Sequence, residues 1–209
     1  MRIVIFANGE NPDINTMPSV VARANYIIAA DGGILNCRQN NIQPDCIIGD
    51  FDSSGTRKIP ENQKVQIIHI EEQNSTDMEK AIEHAKKFNP SVIDIYCSFG
   101  KRTDHSLGNI FILNNYKDLN INMHDEFGSM FALNPGVKEF RDLKNTTISL
   151  FALSKVENIE LHGFEFPLKQ ESIGPSFFGV SNKISENNAA IRFEKGRLIV
   201  YQIRDESNK

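Results

Sequence analysis

From residue 2 to about residue 124, strand-sized apolar runs alternate with segments whose apolar residues recur at helical spacing. The predicted strands cover residues 3–6, 26–30, 46–48, 65–70, 92–97 and 121–124. The predicted helices between them cover residues 19–25, 33–40, 77–88 and 105–116. This alternation is typical of an α/β domain, in which a mostly parallel sheet carries helices on its faces.

The pattern changes after residue 124. Short strand-like runs at 131–133, 147–153, 159–161, 189–193 and 198–203 are separated by turn signals such as Asn134-Pro135-Gly136. Because no helical period is evident among them, we expect a small antiparallel β domain, a sandwich or a barrel. With a boundary between residues 125 and 128, the predicted domains are 1–126 and 127–209.

Composition disfavours several classes of partner. The chain of 209 residues has a net charge of -4 and no run of clustered Lys and Arg, which disfavours a nucleic-acid partner. Its longest apolar runs are strand-sized, so no membrane span is expected, and its first residues read as a strand rather than as a signal peptide. The three cysteines, Cys37, Cys46 and Cys97, lie far apart in apolar surroundings. We therefore expect buried, reduced thiols in a cytoplasmic protein rather than disulfides or a zinc site.

The helix predicted after Thr76 carries a start signal in its sequence. Thr76 and Glu79 have the spacing of a capping box, and apolar residues recur on one face of the segment that follows. Asp77 therefore falls in the first turn, where the helix dipole favours a carboxylate. That local stabilisation explains Asp77 about as well as a functional role does.

Five aspartates follow predicted strands of the first domain at their C-terminal ends: Asp31, Asp50, Asp52, Asp77 and Asp104. Taken singly, each is compatible with an ordinary surface turn. In an open parallel sheet, however, these strand ends share one edge, where such folds bind ligands, and clustered carboxylates repel one another unless a cation or a basic ligand-binding group lies among them. Magnesium fits better than zinc, because it prefers oxygen ligands and bridges to phosphates, and because His69 and His105 have no partner at ligand spacing.

A basic loop follows the strand predicted at 92–97. A glycine precedes Lys101 and Arg102 there, and Thr103 or Asp104 would cap a helix that begins near His105. Backbone amides, a helix N-terminus and a guanidinium group together suit an anion, so beside the carboxylates a metal-nucleotide site is favoured over a solvated loop. The sequence contains neither a P-loop nor the dinucleotide-binding fingerprint, and it has no nucleophile elbow.

Short motifs occur along the chain in a fixed order: Ala30-Asp31-Gly32-Gly33, Pro44-Asp45 with Gly49-Asp50-Phe51-Asp52-Ser53, Thr76-Asp77, Arg102-Thr103-Asp104-His105 with Asn109, and Gly179-Val180-Ser181-Asn182. In this order the sequence resembles the thiamine pyrophosphokinases, from about residue 5 to residue 201. The resemblance implies an α/β domain followed by a β-sandwich domain, in a homodimer whose active sites lie between subunits. It also implies magnesium-dependent transfer of the pyrophosphoryl group of ATP to the hydroxyethyl oxygen of thiamine, which gives thiamine diphosphate and AMP.

The resemblance implies roles for individual residues as well. By position, Asp50, Asp52 and Asp77 correspond to the catalytic, magnesium-binding carboxylates. The residues that correspond to the ATP site are Asp31, Arg102 and Asp104, to which the basic loop adds Lys101. The residues that correspond to the thiamine site are Gln73, Ser181 and Asn182, although from the residues alone Ser181-Asn182 is an ordinary turn.

This chain departs from the family pattern at four positions. Asn74 stands where relatives usually have an Asp, which weakens one metal or water contact. Lys101 stands where many have a second glycine, and it either adds phosphate affinity or crowds the loop. In relatives, an acidic and then an aromatic residue often follow the Ser-Asn pair, whereas this chain has Lys183 and Ile184 there. Stacking or charge complementarity to cationic thiamine therefore differs.

Two other functions stay open from the sequence. Carboxylates and the Thr103-Asp104-His105 segment also suit water activation in a metal-dependent nucleotide phosphohydrolase. The departures at Asn74 and Lys183 are compatible with a sensor that binds thiamine or a nucleotide without turnover. Release of AMP that depends on an acceptor alcohol distinguishes the three functions.

Overall fold

The structure is a computed structural model that describes residues 1–13, 15, 17–51 and 65–204. Contacts between residues divide it into two compact units. The first unit contains Met1–Ile112 and Asp118–Glu126, and the second contains Leu113–Lys117 and the chain from Phe127 onward. The segment Leu113–Lys117 is thus grouped with the second unit, whereas the predicted domains 1–126 and 127–209 assign it to the first.

The described part of the first unit is built on a sheet of parallel strands. They are β1 (Arg2–Phe6), β2 (Tyr26–Ala30), β3 (Cys46–Gly49), β4 (Gln66–His69), β5 (Val92–Tyr96) and β6 (Ile121–His124). Their order across the sheet is β4-β3-β2-β1-β5-β6, and each neighbouring pair is parallel. The chain order reverses between β1 and β5, so the carboxyl ends of these two strands form a topological switch point.

The central strands of this sheet are apolar along nearly their whole length, as expected of parallel strands covered on both faces. On one face, the side chains of Val4, Phe6 and Tyr96 pack with Ile34 and Cys37 of the helix layer. The predicted burial of the cysteines is confirmed, because Cys37, Cys46 and Cys97 are all buried and free. Within the described residues, no helix is long and apolar enough to cross a membrane.

The helices that flank the sheet are α1 (Met17–Val21), α2 (Gly33–Gln39), α3 (Asp77–Lys86) and α4 (Thr103–Asn115). Helix α1 begins and ends earlier than predicted, because the chain turns after Val21 and the Asn25 N–H already donates to Arg2 at the start of β1. Helix α4 begins two residues earlier than the predicted start at His105, since the Arg102 carbonyl accepts a helical hydrogen bond from the Ser106 N–H at 3.2 Å.

The capping box predicted at the start of α3 is present. The Thr76 hydroxyl accepts from the Glu79 N–H at 3.2 Å, and the Glu79 carboxylate accepts from the Thr76 N–H at 2.9 Å. Such caps stabilise a helix by about 1 kcal/mol. Because the buried face of α3, which includes Ala81 and Ile82, packs against β2 and β3, the first turn with Asp77 is fixed near the ends of these strands.

The second unit contains two groups of antiparallel strands. The first group, in the order β12-β9-β14-β7, consists of β7 (Gly128–Leu133), β9 (Thr147–Ala152), β12 (Ser176–Lys183) and β14 (Leu198–Ile203). The second, in the order β11-β10-β13-β8, consists of β8 (Gly136–Arg141), β10 (Val156–His162), β11 (Leu168–Ile173) and β13 (Asn188–Phe193). One core joins them, in which Ile148 and Leu150 of β9 lie in the same cluster as Ile159 and Ile191. Two layers around one core make a β-sandwich.

Strands β8, β11 and β12 are missing from the sequence prediction. Most side chains of β8 and β11 are exposed, because these strands lie at the two edges of their sheet, so their sequences lack a buried apolar alternation.

Strand β12 contains a bulge, at which the register against β9 shifts and the backbones of Gly179 and Ser181 have φ of 63° and 58°. The interpretation of Ser181-Asn182 as an ordinary turn is therefore wrong.

Candidate active site

Three carboxylates meet at the carboxyl edge of the parallel sheet. Asp31 directly follows β2, Asp50 directly follows β3, and Asp77 opens α3 beyond β4. Gly49 lies between two of them, since a Cβ at this residue would be 2.8 Å from the Asp31 Cβ and 3.3 Å from the Asp77 Oδ1. The missing side chain at Gly49 thus allows Asp31 and Asp77 to approach each other.

Asp31 is buried and held by the backbone. It has a φ of 38°, and its N–H donates to the Ile48 carbonyl at 2.7 Å, which ties the end of β2 to β3. The residue is 5% exposed, and its Oδ1 has no hydrogen-bond partner among the residues described. Because a buried polar atom without a partner is costly, this oxygen is a candidate acceptor for a ligand.

Asp77 experiences the charge of its neighbours. Burial raises the pKa of Asp77, and the carboxylates of Asp31 and Asp50 raise it further, whereas the Lys80 ammonium lowers it. The Lys80 Nζ lies 3.4 Å from the Asp77 Oδ1. Asp31 and Asp50 are therefore close enough to Asp77 to repel its charge, and a cation placed beside Asp77 would relieve that repulsion.

Asp50 is tied to the segment that follows β4. The Gln73 side-chain amide donates to the Asp50 Oδ2 at 3.0 Å, and the His69 Nε2 lies 3.1 Å from the Asp50 carbonyl oxygen. The neighbouring Phe51 has a φ of 57°, and its ring packs 5.6 Å from the His69 ring. The structure thus brings Gln73, which the resemblance assigns to thiamine, into contact with Asp50, which it assigns to magnesium.

The carboxylate edge supplies oxygen ligands but no complete metal centre among the described residues. In residues 1–13, 15, 17–51 and 65–204, no three side chains of His, Cys, Asp or Glu are grouped as metal ligands. Asp52, a predicted magnesium ligand, lies outside the described residues. The donors present are carboxylate oxygens, which Mg²⁺ prefers, and both the unpartnered Asp31 Oδ1 and the repulsion at Asp77 are compatible with a cation. The magnesium site stays a prediction.

The loops that leave β1 and β5 meet at the switch point. The Gly9 N–H donates to the Cys97 carbonyl at 2.7 Å, and a Cβ at Gly9 would collide with that oxygen. From the other loop, the Lys101 Nζ donates to the Asn8 carbonyl at 2.8 Å and lies 3.2 Å from the Asn8 Oδ1. Lys101 has a φ of 56°, a conformation that suits glycine better than lysine. The Lys101 ammonium, predicted to contact ATP, therefore fastens one loop to the other.

Arg102 and Asp104 form an ion pair at the start of α4. The Arg102 Nη2 donates to the Asp104 Oδ2 at 2.6 Å, and the His105 N–H donates to the Asp104 Oδ1 at 3.0 Å. Mainly because of the hydrogen bond from Arg102, the pKa of Asp104 is lowered to about 2, and the same bond raises the pKa of Arg102. Both side chains are exposed, so the pair is weak enough for an anionic ligand to compete for the guanidinium group.

In the second unit, the side chain of Asn182 is used by the fold. It is 1% exposed, its Nδ2 donates to the Phe166 carbonyl at 2.9 Å, and its Oδ1 accepts from the Phe166 N–H at 3.1 Å. The adjacent Ser181 donates its backbone N–H to the Ser149 Oγ at 2.9 Å. Of the predicted thiamine contacts, Asn182 thus has both side-chain polar atoms occupied by protein.

Sequence reasoning missed Lys80 and Asn8. Lys80 stands three residues after Asp77 on a correctly predicted helix, so its position beside that carboxylate was readable from helical spacing. Asn8 follows the end of β1 as the aspartates follow their strands. It was missed because the site was predicted from acidic residues, and asparagine is not acidic.

Two family models match the chain in order. Residues 17–124 match the model described as Thiamin pyrophosphokinase, catalytic domain, and residues 137–198 match that described as Thiamin pyrophosphokinase, vitamin B1 binding domain. The first match alone spans more than half of the 209 residues. The chain belongs to the thiamin pyrophosphokinase family. The family predicted from the order of the motifs is confirmed.

Individual thiamin pyrophosphokinases agree with this assignment. A curated relative, Thiamine pyrophosphokinase of Bacillus subtilis (strain 168), is 29% identical over 188 residues, which cover 85% of this chain and 87% of the relative. The crystal structure of the Bacillus subtilis enzyme has a TM-score of 0.84 at 24% identity and covers 98% of this chain and 100% of its own. That of the Geobacillus thermodenitrificans enzyme has a TM-score of 0.84 at 23% identity, with 99% of each chain covered.

These structures establish the fold, and the predicted class, an α/β domain followed by an antiparallel β-sandwich, is confirmed. Membership of the thiamin pyrophosphokinase family also makes the protein an enzyme and implies that it takes part in the synthesis of thiamine diphosphate.

Proposed function

We propose that the protein transfers the pyrophosphoryl group of ATP to the hydroxyethyl oxygen of thiamine and releases AMP, with Mg²⁺ as cofactor. The proposal rests on the carboxylate edge of the first unit, in a chain that belongs to the thiamin pyrophosphokinase family. There, the Asp31 Oδ1 is buried without a partner among the described residues, next to Asp77, at strand ends where α/β sheets bind ligands.

The magnesium ligands proposed are Asp50, Asp52 and Asp77. When bound, the ion would offset the charge of the triphosphate and hold it in one orientation. Support comes from Asp77, whose pKa is raised by burial and by its acidic neighbours, a situation that a divalent cation reverses. Asp50 is positioned for the task by the hydrogen bond from Gln73.

The proposed nucleotide site consists of Asp31, Lys101, Arg102 and Asp104. The unpartnered Oδ1 of Asp31 would accept a hydrogen bond from a donor group of the nucleotide. Arg102 would exchange its exposed pairing with Asp104 for a bidentate contact with a phosphate. Lys101, with its ammonium on Asn8, would add positive charge at the edge of the site and keep the loop in place.

The residues proposed to contact thiamine are Gln73, in the first unit, and Ser181 and Asn182, in the second. Gln73 lies against Asp50, so an acceptor bound there would be near the magnesium ligands. Asn182 would act through the Phe166 backbone that it holds. In the reaction, the hydroxyethyl oxygen forms a bond to the β-phosphorus while the bond from that phosphorus to the oxygen shared with the α-phosphorus breaks. AMP leaves with that oxygen, and the hydroxyl proton is released.

We further propose a homodimer in the cytoplasm. The three free, buried cysteines are compatible with a reducing compartment. Sedimentation equilibrium of the purified protein tests the dimer, since a mass near 23.6 kDa at all concentrations would contradict it.

The reaction is tested by incubating the protein with Mg²⁺, thiamine and ATP labelled at either the α- or the β-phosphorus. The α label should appear only in AMP and the β label only in thiamine diphosphate, in equal amounts. Thiamine monophosphate, whose hydroxyl is blocked, serves as the control acceptor and should release no AMP. Removal of divalent ions with EDTA should stop the reaction, and added Mg²⁺ should restore it.

Other products would contradict the proposal. ADP as the sole nucleotide product would show transfer of the γ-phosphoryl group instead. Phosphate released without any acceptor would favour the nucleotide phosphohydrolase, and calorimetric binding of thiamine or ATP without turnover would favour the sensor.

A further inference from the structure

Lys80 is a buried cation in an unfavourable position. Its side chain is 4% exposed, and it lies at the start of α3, one turn after Asp77. Lysine is rarely buried unless it is paired, and the N-terminal end of a helix dipole disfavours a positive charge. The burial of the ammonium and its place near the positive end of the helix dipole are both unfavourable, so a negative charge is needed close by.

The compensating charge comes from the carboxylate edge. The Lys80 Nζ lies 3.4 Å from the Asp77 Oδ1, and Asp77 lies beside Asp31 at Gly49, where an added Cβ would be 3.3 Å from the Asp77 Oδ1 and 2.8 Å from the Asp31 Cβ. The pKa of Glu72, in the segment that leads into α3, is lowered mainly by hydrogen bonds from the Ser75 hydroxyl and the Asn74 N–H, and the Lys80 charge adds to that effect. Its field therefore extends over the acidic groups around the start of the helix.

We propose that Lys80 is a positioning residue that supplies a fixed positive charge beneath the carboxylate edge and so balances its affinity for a divalent cation against its affinity for the triphosphate. The inference rests on the proposed function and adds a residue to it. In the free protein, Lys80 offsets part of the charge of Asp77. Without it, the edge attracts a lone divalent cation more strongly and repels the triphosphate.

The test uses two variants and one matched control. Lys80→Met removes the charge and keeps an unbranched apolar stem, whereas Lys80→Arg keeps the charge. The control is Lys86→Met on the same helix, because the Lys86 side chain is 54% exposed and its Nζ is 3.9 Å from Glu83. All proteins are compared by circular dichroism and thermal unfolding before binding is measured.

Two affinities should change in opposite directions. Binding of Mn²⁺ to the nucleotide-free protein, followed by electron paramagnetic resonance, should become about tenfold tighter in Lys80→Met, since one unit of nearby positive charge is lost. The KM for ATP should rise by about tenfold in the same variant, with a smaller change in kcat. Lys80→Arg should restore both values, and Lys86→Met should change neither. A purely structural role would not separate the two affinities.

Unchanged or weaker Mn²⁺ binding in Lys80→Met would overturn the inference, as would a Lys80→Arg variant that behaves like Lys80→Met. If Lys80→Met does not fold, nitrogen-15 NMR of the wild-type lysine side chains decides: Mn²⁺ should broaden the Lys80 Nζ signal and leave that of Lys86 sharp, and equal broadening of both would reject the inference. Mn²⁺ binding does not depend on thiamine turnover, so a wild-type protein that releases no AMP would contradict the proposed function while leaving this result intact.

Discussion

Polar groups at the carboxylate edge of the first unit and at the β12 bulge of the second are used in opposite ways. At the edge, the Asp31 Oδ1 lacks a partner among the described residues, and the pKa of Asp77 is raised by burial and by like charges. At the bulge, both polar atoms of the Asn182 side chain bond to the Phe166 backbone. The edge leaves unfavourable energy that a ligand can relieve, whereas the bulge uses its hydrogen bonds to hold the fold. Residues that match motifs of one family thus differ in what their removal should cost.

The largest effect is expected at the edge, from Asp77→Asn. Loss of a metal-binding carboxylate should lower the kcat for AMP release by at least about 100-fold, because charge stabilisation of the transferring group is lost. Stability should fall only modestly. The raised folded-state pKa of Asp77 means that the fold favours the neutral form, and asparagine is neutral, but the buried Lys80 ammonium loses a charged partner. Turnover and thermal unfolding measured on the same preparation check both parts.

Glu83→Gln is the matched control for that variant, since Glu83 is exposed on the same helix and pairs only loosely with Lys86 at 3.9 Å. It should keep wild-type turnover. A wild-type kcat in Asp77→Asn would remove the metal-site assignment, and a large loss of stability would place Asp77 with the groups that hold the fold.

The opposite outcome is expected at the bulge, from Asn182→Ala. The change removes the hydrogen bonds that the buried Asn182 side chain makes with the Phe166 N–H and carbonyl and with the Lys183 N–H, which should lower the free energy of unfolding by about 2 kcal/mol. Urea titration measures the loss. Asn187→Ala, an exposed asparagine of the same unit, is the control and should change stability by less than about 0.5 kcal/mol. A raised KM for thiamine at unchanged stability would instead make Asn182 a direct substrate contact and end the contrast between the two regions.

The sequence predicts a site residue correctly where its position is fixed by a pattern of neighbouring residues, and not where it is fixed by contacts between distant segments. Asp77 was placed correctly because the capping box lies within four consecutive residues, Thr76 to Glu79. The close approach at Gly49 depends on the register of β3 against β2 and on the packing of α3, neither of which leaves a local pattern. Asn182 bonds to Phe166, which is 16 residues away in the sequence. Asn182 also lies beside a bulge whose Gly and Ser residues are typical of a turn.

Edge strands set a second limit. Alternation of buried and exposed residues identifies a strand only when one face is covered, and in β8 only Phe140 is fully buried. The sequence therefore predicted the inner strands β9, β10, β13 and β14 and missed the exposed edge strands β8 and β11. In the parallel sheet the central strands are covered on both faces, which is why their bounds were predicted to within about one residue.

Lys101 shares features of the carboxylate edge and of the bulge, because its ammonium bonds to protein although the residue is proposed to contact ATP. A double-mutant cycle with Asn8 decides whether this ammonium holds the fold or binds the ligand. If its ammonium serves to join the loops after β1 and β5, then Lys101→Met removes its bonds to both the Asn8 carbonyl and the Asn8 Oδ1, whereas Asn8→Ala removes only the Oδ1 contact. Lys101→Met should then raise the KM for ATP by about fivefold, equivalent to about 1 kcal/mol, Asn8→Ala should raise it by less, and the double variant should be no worse than Lys101→Met. Hydrogen exchange of the amides at 97–101 should quicken in Lys101→Met and in the double variant, and less in Asn8→Ala. Additive effects on KM, without faster exchange in Lys101→Met, would mean that Lys101 binds the phosphates directly and that its ammonium, like the Asp31 Oδ1, is available to the ligand.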